Sequence, residues 1–129
     1  MAEINTIEEI RERLRSPRPP FLELWATAPP DRSLCALISG DVGWLMFLRE
    51  NGDAGFSTRN PDYSGSADEF IDYQLENGQH DQYPASWALP VSEVQRALEH
   101  FITHAEPAPW LTWHNDSGDG TVIGGRPDP

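Results

Sequence analysis

Three groupings in this chain have residue types and spacings that could carry chemistry. His100 and His104, in "HFITH", stand four apart, which puts two imidazoles on one helix face as in many zinc sites. Asp68, Glu69 and Asp72 gather carboxylates that could divide acid and base work if their surroundings held their pKa values apart. Cys35, in "SLCALIS", would be a nucleophile if something stabilised its thiolate.

Each grouping weakens when its partners are sought. "HFITH" lacks the adjacent glutamate of a zinc protease and no third ligand is evident, so the pair reads as solvent-facing near a helix C-terminus, where positive charge is favoured. His80, in "GQHDQ", sits by a turn and reads as exposed. Nothing in the sequence separates the pKa values of the three carboxylates, and Cys35 has neither an electropositive neighbour nor a disulfide partner. "SGDGTVIGGR" has glycines without the Gly-Lys-Ser/Thr of a phosphate loop, and there is no Gly-x-Ser-x-Gly elbow. The His-x-Glu and Pro-Cys-x-x-Cys of a zinc deaminase are also missing. The chain is expected not to be an enzyme, and to need no metal, cofactor or small-molecule substrate.

The charge pattern says more. Net charge is −12, from 21 acidic residues against 9 basic ones, all arginine. Glu3, Glu8, Glu9 and Glu12 balance Arg11, Arg13, Arg15 and Arg18, so the excess lies beyond residue 20. Between Arg59 and Arg96 there is no basic residue, while Asp62, Asp68, Glu69, Asp72, Glu76, Asp81 and Glu93 all fall there. Such a field repels nucleic acid and anionic membranes and attracts basic proteins. An acidic run can equally be a solubilising surface, so a second observation has to decide. With one cysteine, no apolar leader in "MAEINTIEEIRERLRSPR" and no long apolar span, a cytoplasmic protein is expected.

The elements that must position these residues follow from periodicity. "TIEEIRERLRS" predicts a helix, with Thr6 and Glu9 at capping-box spacing and Ile7, Ile10 and Leu14 on one stripe; "SPRPP" ends it. "FLELWAT" and "SLCALIS" read as strands joined by "APPDR". "GWLMFLRE" is apolar on both faces from Trp44 to Leu48, which predicts a central strand covered on each side. Asn51-Gly52 predicts a tight type I′ turn into "DAGFSTR", and Asn77-Gly78 a second tight turn between "EFIDYQL" and "QHDQYPASWAL". Alternation sets Ile71, Tyr73 and Leu75 on one side and Phe70, Asp72, Gln74 and Glu76 on the other.

"LPVSEVQRALEHFITHA" is the clearest helix, with Ser92 and Gln95 at capping-box spacing and Val94, Ala97, Leu98 and Phe101 on its buried stripe. After "EPAP", "WLTWHND" reads as a strand. Leu111 should then share a side with Trp113, and Trp110 with Thr112 and His114, so that one tryptophan packs beneath the helix and the other faces the second side of the sheet; both are expected to be structural. With Trp44, Phe47, Leu98 and Phe101 they make up the expected core. The predicted architecture is α+β: an antiparallel meander carrying an N-terminal helix and a second helix in the C-terminal half, ending in a Trp-bearing strand. Residues 1–115 form one domain, and residues 116–129 are a flexible tail or a short edge strand through "TVI".

This order of elements, with "WLMFLRENGDAGF", "LPVSEVQRALEHF", "PAP" and "WLTW", resembles the first-numbered immunity-protein family of bacterial polymorphic toxin systems over roughly residues 5–115. "THAEPAP" departs from that family's pattern, in which a glycine often stands between the helix and the last proline. The resemblance implies a protein that binds and neutralises a cognate toxin domain, commonly a nucleic-acid deaminase, without chemistry of its own. It gives the acidic run a use, since a toxin acting on DNA or RNA needs a basic groove that an acidic face can cover. Asp68, Glu69, Asp72, Glu76 and Asp81 are the candidate contact charges, with Tyr73, Tyr83 and Trp87 as aromatic anchors. The alternatives are a small acidic adaptor without a toxin partner, and an enzyme built on the acidic cluster or the His100/His104 pair.

Overall fold

Three long strands set the architecture: β2 (Phe21–Ala28), β3 (Arg32–Ser39) and β4 (Val42–Leu48). Each carries two apolar sets, because successive side chains on a strand point to opposite faces. Leu24 and Ala26, Leu34, Ala36 and Ile38, and Leu45 and Phe47 share one face; Trp25, Cys35, Leu37, Trp44 and Met46 share the other. A sheet that is apolar on both sides must be covered twice, and it is.

In this computed structural model, which describes residues 2–124, the remaining elements provide those covers. They are β1 (Ala2–Glu3), α1 (Ile7–Leu14), β5 (Phe56–Arg59), β6 (Phe70–Gln74), β7 (His80–Pro84), a single 3-10 turn (Ala85–Trp87), β8 (Leu89–Pro90), α2 (Val91–His104) and β9 (Thr112–Asn115). The sheet runs β1-β2-β3-β4-β5-β9, with β8 also on β4; β1 pairs parallel to β2 and every other pairing is antiparallel. The fold is α+β, with both helices on one face. On the other face β6 and β7 pair only with each other, as a separate ribbon laid over β2 and β3 rather than as further strands of the meander.

Local chemistry explains most element ends. The Thr6 hydroxyl accepts from the Glu9 backbone N–H at 3.1 Å, and the Glu9 carboxylate reaches back to the Asn5 N–H at 3.2 Å, so α1 is capped as its sequence requires. The expected capping box of α2 does not form. Pro90 is the N-cap, Ser92 lies inside the first turn, and Gln95 instead donates to Glu99 at 2.9 Å. The chain enters from β8 and is already helical at Val91, whose N–H donates to the Asp41 carbonyl at 3.0 Å, which places Ser92 inside the first turn rather than at its cap.

The two turns also differ from the type I′ expectation. Gly52 (φ 82°) and Gly78 (φ 89°) have positive φ, but Asn51 and Asn77 do not, so neither turn has two left-handed central residues. Between β6 and β7, Leu75 accepts from Gly78 and donates to Gln79, the pattern of a type I turn closed by a left-handed glycine. Where β4 runs between β5 and β8, the Leu45 N–H donates to the Thr58 hydroxyl at 3.1 Å, a side chain standing in for a missing backbone partner. Gly43 lets α2 approach β4: a Cβ there would lie 2.9 Å from Val94 and 2.8 Å from Ile38.

Trp113 is buried with Leu111 on the helix face and donates to the Ala108 carbonyl at 2.9 Å. Trp110 is not on the second face of the sheet. It precedes β9 in a turn and lies half-buried against α2, its ring 4.7 Å from the Arg96 guanidinium and edge-on to His100 at 5.1 Å. The flanking prolines delay the strand until Thr112, so alternation does not reach Trp110. The tail from 116 to 124 forms no strand. Asp119 pairs with Arg49 at 2.7 Å and Ile123 packs on the core; residues 125–129 lie outside the described residues.

α2 ends at Ala105, whose φ of 57° is in the left-handed region, while its carbonyl accepts from Arg32 at 2.6 Å. An alanine pays a steric cost there that glycine avoids. Ala105→Gly is expected to raise stability by about 0.5–1 kcal/mol, read as a higher urea midpoint with an unchanged slope.

Candidate functional site

The acidic interval folds into the β6–β7 ribbon and its approaches, and aromatic packing decides how it is mounted. The register pairs Ile71 with Tyr83, Asp72 with Gln82 and Tyr73 with Asp81. Ile71, Tyr73 and Tyr83 therefore point at the sheet, where they meet Cys35, Leu37 and Trp44. Tyr83 stacks on Trp44 with centroids 4.2 Å apart, Trp87 lies 5.9 Å from Tyr83, and the Arg59 guanidinium sits 3.7 Å over the Trp87 ring. The turn end is fastened by Glu23. This nearly buried carboxylate on β2 accepts from the Trp25 indole at 2.6 Å and from the Glu76 backbone N–H at 3.0 Å.

This mount corrects one expected contact residue. Tyr73 is 1% exposed and lies inside the seam, so it holds the ribbon to the sheet and has no surface to offer a partner. Tyr83 and Trp87 are half-buried in the same stack. Burial drives the Tyr73 hydroxyl well above its ordinary pKa and, with the neighbouring Asp81 carboxylate adding to it, pushes Tyr83 up to about 12. The Cys35 thiol is likewise raised by burial, with Glu23 adding to it, which makes it inert.

The acids share one ribbon but not one face. Asp68 and Glu69 are exposed where the chain enters β6; Asp72 is exposed on the outer face, where the Gln82 amide donates to it. Glu76 falls in the turn, not on the strand, so strand alternation does not align it with Asp72. Asp81 points inward and accepts from Tyr83 at 3.1 Å and Gln79 at 2.8 Å. At about 3.4 Å per residue, five-residue β6 separates its two ends by roughly 15 Å, beyond the ~8 Å screening length at physiological salt. The entry-end acids and Asp72 act together on a partner more readily than any of them acts with Glu76.

Sequence reasoning missed two neighbours of that entry end. Phe70 is 55% exposed on the outer face, on the same side as Asp72. Its signal was legible as the one aromatic at a polar position of "EFIDYQL". Tyr63 donates to the Ser66 carbonyl at 2.8 Å and to Glu69 at 3.0 Å, which fixes the Glu69 carboxylate; no local pattern announces that contact.

Other groupings do not assemble into reactive centres. Ser57 donates to Asp116 at 2.6 Å and accepts from Arg59 at 2.9 Å, with His114 3.7 Å from Asp116. The serine, 1% exposed, is bonded to a carboxylate rather than to an imidazole that could take its proton. His100 is not the solvent-facing member of a free pair. Its side chain is 15% exposed, with its ring 4.5 Å from His104 and its Nε2 3.1 Å from Glu106. Among the described residues no three His, Cys, Asp or Glu side chains are grouped to hold a metal ion, and no helix is long and apolar enough to cross a membrane.

The family model described as Immunity protein Imm1 matches residues 3–115, from β1 to the end of β9. The chain belongs to this family. It is an immunity protein, whose partner is a toxin. No curated protein matches it. The Imm1 span takes in the sheet, both helices and the whole ribbon, and stops before the tail that Arg49 ties down.

The ribbon's dependence on neutral phenols sets a pH limit on this Imm1 chain. Tyr63, beside Glu69, is also raised, by burial first. A phenol raised in the folded state supports folding fully below its unfolded pKa of about 10, and that support is lost as pH rises further. Two of the three phenolates, those of Tyr73 and Tyr83, are therefore expected to appear in the absorbance at 295 nm only above about pH 10, together with loss of the folded circular dichroism signal. Ionisation of all three tyrosines near pH 10 with the fold intact would contradict the packing described.

Proposed function

We propose that this immunity protein neutralises its toxin by laying the β6–β7 side of the molecule against a basic surface, with Asp68, Glu69 and Asp72 as the principal contact charges. Glu76 adds to the field from the far end of the ribbon. Asp81 serves mainly to order Tyr83, and Trp87 borders the contact as part of the stack. The observation that carries the reading is that Asp68, Glu69 and Asp72 are exposed together at the entry end of a ribbon anchored by Trp44, Tyr73 and Tyr83. The helix side is close to neutral: Arg11 pairs with Glu99, Arg15 with Glu12 and Arg96 with Glu93.

A basic target surface is what a nucleic-acid-cleaving or nucleic-acid-modifying toxin must have, since phosphate binding depends on lysine and arginine. We assign the toxin to that class, a deaminase in the first instance, and place the encounter in the cytoplasm, where such a substrate lies. The immunity protein works by occupancy, with no catalysis, cofactor, nucleic acid or membrane of its own. Complementary charge also speeds encounter, an advantage when any unblocked toxin is lethal.

The test compares two double reversals with the same change in net charge. Asp68→Lys with Asp72→Lys alters the ribbon, whereas Glu8→Lys with Glu12→Lys alters exposed acids of α1. Stopped-flow association with the cognate toxin domain is expected to slow about tenfold or more for the ribbon variant at low salt. Its salt dependence should flatten, while the α1 variant stays near wild type. Equal rates for the two variants would place the contact elsewhere.

A further inference from the structure

Among the described residues only Phe70 and Val122 are large apolar side chains left exposed, and Val122 lies in the tail beyond the family span. Phe70 belongs to a regular strand. Its position is set by pairing with Pro84, and the Glu69 carbonyl just before it accepts from the Ala85 N–H at 2.8 Å. The ring cannot turn inward, because the inward positions of β6 are taken by Ile71 and Tyr73. It shares the outer face with Asp72, and the exposed Asp68 and Glu69, the latter bonded to Tyr63, immediately precede it in the chain. No basic residue occurs between Arg59 and Arg96, so no arginine or lysine of the surrounding sequence is available to stack on it.

An exposed phenyl that shares its strand face with an exposed carboxylate suits one kind of group particularly well. A guanidinium can lie on the ring face by cation–π attraction while its edge donates to a carboxylate, and the planar fork of arginine does both at once. A purely apolar pocket would have to desolvate Asp72 against nothing, at a cost. We infer that Phe70 is the anchor of the toxin contact and that it receives an arginine from the toxin's basic surface, paired to Asp72 or Glu69. This rests on the proposed function and adds to it a residue and a partner chemistry that charge alone does not supply.

The test titrates the cognate toxin domain, in a catalytically silenced form, against wild type and Phe70 variants by calorimetry. Phe70 is 55% exposed, so substitutions there are expected to leave the melting temperature unchanged, which is checked first. Phe70→Ala and Phe70→Leu are each expected to weaken binding by about tenfold or more, and Phe70→Tyr and Phe70→Trp to stay within about threefold of wild type. Full affinity in Phe70→Ala overturns the anchor. Full affinity in Phe70→Leu with loss in Phe70→Ala overturns the stacked arginine, because leucine keeps the apolar contact without the ring. Wild type that does not bind overturns the proposed function itself, a result separable from either of these.

Discussion

Everything on the acidic side depends on a sheet that is apolar on both faces. β3 and β4 leave no polar side to present to water, so the sheet needs a second cover opposite the helices. The ribbon supplies it, and the ribbon in turn needs the sheet, since an isolated two-stranded hairpin is marginal in water. Trp44, Tyr73 and Tyr83 form the seam where the two needs meet. Glu23 extends the seam with a polar fastening at the turn, and its carboxylate leaves neither the Trp25 indole nor the Glu76 amide unsatisfied.

That seam also decides where charge can go. A five-residue strand with alternate residues committed to the seam has few outward places, and in β6 they fall to Phe70, Asp72 and Gln74. The other acids are displaced to the entry loop, the turn or the inner edge. The ribbon side is therefore acidic without being a uniformly charged plate, and its entry end differs from its turn end. On the opposite side, Arg11 of α1 pairs with Glu99 of α2, Arg15 with Glu12 and Arg96 with Glu93. Under the proposed contact, the acids of the ribbon side are what an approaching basic protein meets first.

Where one residue's chemistry dominates its neighbourhood, the sequence was readable. The two-sided apolar run from Trp44 to Leu48, the stripe of Val94, Ala97, Leu98 and Phe101, and the Thr6–Glu9 cap each describe local periodicity or spacing, and the structure realises them. The failures share a different origin. Ser92 had the right spacing for a cap, but the position of Asp41, fifty residues earlier in the chain, determined how the helix begins. Alternation does not reach Trp110, because its strand begins only at Thr112. Tyr73 faces away from Asp72 as alternation requires, but the side it faces is the sheet, which removes it from the surface. Local rules see an element's period but not which long-range partner occupies its face.

Phe70 tests that distinction from the other direction. Alternation placed it on the polar side, the structure leaves it there, and folding gains nothing from a phenyl in water. Polar residues occupy the other outward places of the same strand, so the position itself does not demand an aromatic. A chain whose levels otherwise agree breaks its own pattern once, beside the carboxylates that Tyr63 and Gln82 hold in place. Such local violations are expected where a surface is kept for a partner rather than for the fold. The mount explains why the violation is tolerable: with Tyr73 and Ile71 already anchoring the strand from beneath, the outer position is free to be set by what it touches rather than by what it stabilises.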